Sequence, residues 1–296
     1  MTVNLSELKP CPPEGEGVHR WIYHAACMLT DAGVPGEEAE AIIEELMTRP
    51  PKPSSEIEDA LRSAQGERKP GPRWSPPFAR RIAEVVKVGP SLRELIARSP
   101  QLVQFGQSSG TEAYIDALFA GNPWVCVGKA NWDFYTARRD WWRGKLNNHA
   151  LIVPSPMCSQ EGRTKEGHMS FHTEANTAPR RFLVVEFDSG TLDHQAALIY
   201  HLAQYAPLAL VVFSGSKSAH SWFFCEGQSE DKLTRFFDYA TSLGADPKTW
   251  SRSQFVRMPD GRRSDGKASD ALSAAGIPNV PKGRQAVLYF NPGMIS

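Results

Sequence analysis

The chain contains no run of about eighteen apolar residues, so no membrane-spanning helix is expected in it. Its five cysteines, at 11, 27, 126, 158 and 225, include no C-x-x-C pair, and their odd number would leave one unpaired in an oxidising compartment. A reducing cytoplasm is the expected location. The N-terminal stretch MTVNLSELKPCPPEGEG lacks the apolar core of a signal peptide. Net charge is missing too, because 33 basic and 33 acidic side chains cancel. No global field therefore announces a nucleic-acid partner, and any such surface must be local. The Walker A pattern G-x-x-x-x-G-K-[ST] is also absent, so no built-in helicase motor is expected. What remains is 296 residues, 41% of them hydrophobic, enough to bury the core of one large domain or two modest ones.

Apolar residues at Ala39, Ile42, Ile43, Leu46 and Met47 fall at the spacing of one helix face. Pro35-Gly36 separates that helix from an earlier one around 19–31. A third is expected from Ser55, whose hydroxyl can cap it while Glu58 reaches back, with Ile57, Ala60 and Leu61 on its apolar side. Residues 1–70 thus read as a small three-helix domain with its linker, since 65–77 (QGERKPGPRWSPP) is rich in proline, glycine and charge. Residues 71–296 form the second domain. Residues 78–120 carry a helical pattern, with Leu92, Leu95 and Ile96 on one side. Beyond Arg181 strands and helices alternate: a strand at 182–187 (FLVVEF), a helix at 192–205, strands at 208–213 and 219–225, a helix at 231–243 and a strand at 254–258. The order β-α-β-β-α-β predicts an α+β fold with an RRM-like sheet, the split βαβ unit, which 286–290 would extend. The small, polar segment 264–283 reads as a loop.

Side chains two apart on a strand share a face, so Glu186 and Asp188 should project together from the end of the strand 182–187. Two such carboxylates repel each other unless a cation lies between them, and an oxygen-only site suits magnesium or manganese. The turn Ser214-Gly215-Ser216-Lys217-Ser218-Ala219-His220 combines a glycine, three hydroxyls and a lysine, a set able to cradle a triphosphate. Asp246 and Arg257 form a third feature, with Asp260 a rival to Asp246 for the same place.

E-F-D, then S-G-S-K-S-A-H, then A-D-P followed by Arg257 together resemble the three motifs of the archaeo-eukaryotic primase superfamily, in particular the primase-polymerases of phages and mobile elements. The resemblance extends over roughly residues 78–292, including LFAGNPWVC, ALIVPSPM and QFVRMPDGRR. It implies a DNA primase and DNA-directed polymerase, a nucleotidyltransferase of DNA replication that joins ribo- or deoxyribonucleoside triphosphates on a single-stranded DNA template. It implies Glu186, Asp188 and Asp246 as ligands of two magnesium or manganese ions. His220 and Ser218 would be the S-x-H pair at the nucleotide, with Ser214, Ser216, Lys217 and Arg257 also on the nucleotide side. The helical unit resembles the primase C-terminal domain, which in the family usually follows the polymerase core and here precedes it. Glutamate stands here at the first acidic position, where either carboxylate can ligate magnesium.

A polymerase also needs a template surface. Residues 129–145 (KANWDFYTARRDWWRGK) interleave basic and aromatic side chains, the composition of single-strand binding, so Arg138, Arg139, Trp141, Trp142 and Arg143 are expected to touch nucleic acid. Cys158, His168 and His172 lack the fourth ligand of a structural zinc site, so zinc is not favoured; these histidines and Lys165 are a second candidate contact. A separate helicase in trans is the expected protein partner, and no membrane is. Two rivals remain: a catalytically silent RRM-like nucleic-acid-binding replication module, and an endonuclease using the same acids.

Overall fold

The computed structural model describes residues 8, 10–14, 16–52, 54–65, 74–103, 105, 110–263 and 269–295. It divides into two compact units, Met1–Pro72 and Arg73–Ser296. The chain is mixed α+β, with N-terminal helices followed by antiparallel sheets interleaved with helices. Among the described residues no helix is long and apolar enough to cross a membrane.

The first unit is three helices, α1 (Val18–Asp31), α2 (Gly36–Leu46) and α3 (Glu56–Ala64). Trp21, Ile22, Leu29, Ile43, Ile57 and Leu61 lie in their common core. The expected capping box at Ser55 does not form: its hydroxyl donates to Asp59, and Glu58 pairs with Arg62 instead. The more demanding residue is Glu56, whose carboxylate is buried and receives two hydrogen bonds from Arg49 at 2.8 and 2.9 Å and one from the Lys52 amide at 2.7 Å. The Arg49 hydrogen bond outweighs burial and holds this carboxyl at about 2. Residues 66–73 of the expected linker lie outside the described residues.

The second unit begins with α4 (Ala79–Val88), α5 (Leu92–Ala97) and α6 (Thr111–Leu118). A hairpin of β1 (Trp124–Ala130) and β2 (Asp133–Arg138) follows, then the short β3 (Leu151–Ile152), β4 (Gly162–Arg163) and β5 (Met169–Ser170). The regular part is β6 (Phe182–Phe187), α7 (Leu192–Leu202), β7 (Leu208–Phe213), β8 (Ala219–Phe224) and α8 (Glu230–Ser242). It ends with β9 (Val256–Arg257), α9 (Ala271–Ala274) and β10 (Val287–Phe290). Two four-stranded antiparallel sheets result, in the orders β2-β1-β3-β9 and β10-β7-β8-β6, beside the two-stranded β4-β5.

Strand alternation fixes the layers. Phe182, Val184, Val212 and Trp222 pack against Val125, Val127, Ile152 and Val256, so one face of the β6 sheet meets the β1 sheet. Leu183, Val185, Phe187, Val211 and Phe223 point the other way, onto Leu95, Ile199, Leu202 and Phe237 of the helices. The helix layer is drawn in closely at Gly89, where a Cβ would stand 2.4 Å from that of Ala197 on α7. Gly89→Ala is therefore expected to lower the stability of this unit by about 1–3 kcal/mol through overpacking, measurable by denaturant unfolding.

The expected fourth strand at 254–258 is corrected. Only Val256–Arg257 is extended, and it pairs with β3 in the other sheet. The chain leaves α8 through a short 3-10 turn at Pro247–Trp250, where the Asp246 amide donates to the Glu186 carbonyl on the edge of β6 at 2.9 Å. Proline at the start of that turn has no N–H to continue such a ladder. The edge strand at the far side is β10, paired with β7.

Candidate active site

Antiparallel register places Glu186 of β6 directly opposite His220 of β8, with Phe187 opposite Ala219. Glu186 shares the inter-sheet face with Val184, and the alternation carries on to Asp188, just past the strand end. Ser218, two residues before His220, lies on the same face, and its hydroxyl donates to Glu186 Oε1 at 2.8 Å. His220 Nε2 stands 3.2 Å from the same oxygen, close enough for an ion pair when the ring is protonated. Both ring nitrogens are buried without a hydrogen-bond partner. Both contacts fall on Oε1 and leave Oε2 out of them.

The two neighbouring carboxylates are pushed in opposite directions. Burial alone would raise the Glu186 carboxyl, but the adjacent His220 ring and the bond from Ser218 outweigh it and bring it to about 2. Asp188 goes up instead, through partial burial and then the charge of Glu186, with Asp246 adding to the rise and Lys217 opposing it. Lys217 Nζ donates to the Asp188 carbonyl at 3.2 Å and lies 3.9 Å from its carboxylate, with both side chains largely in solvent. Asp246 caps the Pro247–Trp250 turn by accepting from the Lys248 amide at 3.0 Å.

Glu186, Asp188, Asp246, Ser218, His220 and Lys217 are thus brought together at one end of the β6–β8 pair. Asp260 is placed elsewhere. It is buried at a left-handed φ of 58° and holds Arg284 through two bonds of 2.6 and 2.7 Å and the Gly110 amide at 2.6 Å. Arg257 stands on β9, opposite Leu151 of β3. No three His, Cys, Asp or Glu side chains among the described residues are closed up into a metal cage. The donor chemistry nevertheless fits a hard divalent cation. Burial and then the charge of Glu186 raise the Asp188 carboxyl, and a cation between the two would relieve both.

No family model, no curated protein and no solved structure matches this chain. Its own geometry therefore carries the functional argument.

The Ser214–Ser218 turn is more closed than its composition implies. The Ser214 hydroxyl accepts from the Ser216 and Ser218 amides at 3.4 and 3.1 Å, and the Ser214 amide donates to the Ser218 carbonyl at 2.8 Å. Gly215 sits at a φ of 78°, where a Cβ would also stand 3.1 Å from the Gly283 carbonyl. The segment read as a loop at 264–283 is partly tied down on this turn. Arg263 donates to the Ser214 carbonyl at 3.2 Å, the Ser269 amide to the Gly215 carbonyl at 3.0 Å and the Ser269 hydroxyl to the Ser216 carbonyl. Residues 264–268 lie outside the described residues.

Sequence reasoning missed Gln195. It is fully buried on α7, where its amide donates to the carbonyls of Ser189 and Lys217 at 3.3 and 3.1 Å and accepts from the Ala219 amide at 2.9 Å. One side chain thereby pins the segment after Asp188 to the start of β8. The signal was a lone glutamine on an otherwise apolar helix face. Gln195→Leu strands those backbone groups and is expected to cost about 1–3 kcal/mol, read as a lowered unfolding midpoint.

The expected template surface is partly core. Arg139 has no exposed surface and pairs with Glu112 at 2.5 Å and Asp116 at 2.8 Å, while Trp142 is buried with its indole N–H on the Val125 carbonyl at 3.2 Å. Neither can reach a nucleic acid, because Arg139 is consumed in pairing with α6 and Trp142 in packing on β1. Arg138 lies over the Trp124 ring and Arg143 pairs with Asp140 and Asp116. Trp141 is half exposed with Lys145 over its face, and Trp132 is 86% exposed. His172 stacks on Phe255, its ring nitrogen bonded to the Ser253 carbonyl, and burial pushes its pKa down. Cys158 donates to the Ala175 carbonyl, and His168 and Lys165 lie in the exposed turn between β4 and β5.

Proposed function

We propose that the chain is a metal-dependent primase-polymerase that joins nucleoside triphosphates on a single-stranded DNA template. The observation carrying this reading is the register that sets Glu186 opposite His220, with Asp188, Asp246, Ser218 and Lys217 around them. An RRM-like core of the archaeo-eukaryotic primase kind accounts for the run β6-α7-β7-β8-α8, with Asp246 hydrogen-bonded to the edge of β6 where that sheet would carry another strand.

Glu186, Asp188 and Asp246 would hold the magnesium or manganese ions, which when bound neutralise the triphosphate and favour the ionised 3′-hydroxyl. The protein's own contribution is positioning and charge. His220 and Ser218 keep Glu186 anionic and aimed along the inter-sheet face. Lys217, exposed beside Asp188, meets the charge of the phosphates, and the Ser214–Ser218 turn bounds the place they occupy. The 3′-hydroxyl gives its proton to solvent as its oxygen bonds to the α-phosphorus, the bond from the α-phosphorus to the bridging oxygen breaks, and pyrophosphate leaves with that oxygen and its electron pair. Asp246 rather than Asp260 completes the acidic set, because Asp246 adds to the rise at Asp188 while Asp260 is bound to Arg284. Template contacts fall to Trp132, whose exposed ring can stack on a base, and to the half-exposed Trp141 with Lys145 over its face.

The test is incubation of the full chain with single-stranded template, labelled nucleotides and magnesium or manganese, with and without a primer. Incorporation that depends on template and metal supports the reading. Template binding without incorporation would mark a silent binding module, and template cleavage without added nucleotides an endonuclease.

A further inference from the structure

The helix-covered face of the β6 sheet carries a cavity of about 620 Å³ that the catalytic reading does not use. It opens where the C-terminal end of α7 and the beginning of β7 meet the end of β8 and the first turns of α8. Leu183, Phe223 and Leu233 form its floor, and two pairs of aromatic rings make its walls. Tyr205 meets Tyr239 edge-on with centroids 5.4 Å apart, and Phe223 meets Phe236 at 5.0 Å. Strand alternation puts Leu183 and Phe223 on the opposite face of the sheet from Glu186 and His220. A ligand here would not compete with one at the acidic cluster.

The mouth is cationic. Arg81, Lys232 and Arg235 line it, are exposed, and have no carboxylate partner among the described residues. Arg81 lies 5.6 Å over the Tyr239 ring and Lys232 donates to Gln228 at 2.7 Å, neither of which neutralises charge. Of the nearby acids, Glu84 pairs with Arg80, Glu226 with Arg181 and Glu230 with Arg180, while Asp231 on the same helix lies outside the lining and makes no ion pair with Lys232 or Arg235 among the described residues. An apolar, ring-lined chamber whose described lining includes three cations and no acid selects an apolar body with a negative end. Its volume falls within the roughly 300–1,000 Å³ usual for small-molecule sites.

We infer that this cavity binds a small amphipathic anion, its apolar body among Phe223, Leu233, Phe236 and Tyr239 and its carboxylate, sulfonate or phosphate among Arg81, Lys232 and Arg235. Aromatic and straight-chain bodies share this chemistry, and the probes separate them.

The experiment is calorimetric titration of the full chain with naphthoate and with decanoate. Neutral naphthalenemethanol and cationic naphthylmethylammonium serve as controls of the same body. The expected result is saturable binding of one anion per chain, with naphthoate favoured over its neutral counterpart by about tenfold and weakened by salt, as three exposed cations would provide. The surface variant Arg81→Gln/Lys232→Gln/Arg235→Gln should reduce naphthoate to the level of naphthalenemethanol without altering the latter. Ala206→Trp, which fills the chamber, should remove both, with thermal unfolding confirming that each variant is folded. Equal affinity for all three naphthyl compounds, no saturable binding, or a surface variant that binds naphthoate as the parent does would overturn the assignment. The surface variant decides the matter even if Ala206→Trp fails to fold.

Discussion

Asp188→Asn is expected to abolish template-directed nucleotide incorporation while leaving the protein at least as stable as the parent. The two effects separate because Asp188 is an electrostatic burden on the fold. Partial burial and the neighbouring Glu186 charge raise its carboxyl pKa, so ionising it opposes folding. A group whose pKa is raised in the folded state favours folding fully below its unfolded pKa, and that contribution is lost as pH rises through the folded value. Neutral asparagine never suffers that loss. The variant should therefore unfold at or above the parental midpoint near neutral pH and match it in acid. On the proposed reading activity moves the other way, because removing an anionic donor from a site proposed for phosphoryl transfer should lower turnover at least about a hundredfold. Incorporation assays in magnesium and manganese beside thermal unfolding at neutral and acidic pH measure both. Parental incorporation by Asp188→Asn would remove Asp188 from the site.

The largest stability effect is expected at Glu56→Gln in the N-terminal helical unit. Arg49, itself only 11% exposed, makes two hydrogen bonds to this carboxylate, and an amide can neither balance its charge nor accept on both sides. Breaking such a buried pair from one side costs about 3–5 kcal/mol, a large share of what a unit this small can possess. The same contact sets a pH dependence. The Glu56 carboxyl is held at about 2 rather than 4.5, so its contribution is complete above the unfolded value and is lost as pH falls toward the folded one. Hydrogen exchange of amides 18–64 in the full chain should show faster opening in the variant, and in the parent a loss of protection on acidification that the variant lacks. Equal protection in both proteins would mean that Arg49 and Glu56 do not support the unit.

Elements with a clean local period were legible in the sequence. The strands at 182–187, 208–213 and 219–224 are short, largely apolar runs rich in valine, phenylalanine and tryptophan, and the helices between them carry apolar faces, so hydrophobic pattern and propensity agree. The hairpin of β1 and β2 was not legible, because its aromatic and basic residues have the composition of a binding surface. Arg139 shows why composition misled: an arginine is normally solvated, and only Glu112 and Asp116 on α6, more than twenty residues earlier, make its complete burial tolerable. The strand at 254–258 failed for a related reason. Its apolar residues are real, but pairing partners are a property of the whole sheet, and β3 captures it.

At the candidate site, the sequence by itself determined that Glu186 and Asp188 share a face and that Ser218 and His220 do likewise. Side-chain alternation is a property of the extended backbone and needs no partner. Only the tertiary structure decided that these two pairs face each other, through the register of β6 on β8. It also set Asp246 against the β6 edge while Arg284 claimed Asp260, and placed Gln195 beneath both ends of the site. Each of those outcomes depends on which distant segment arrives, and distance along the chain carries no record of it.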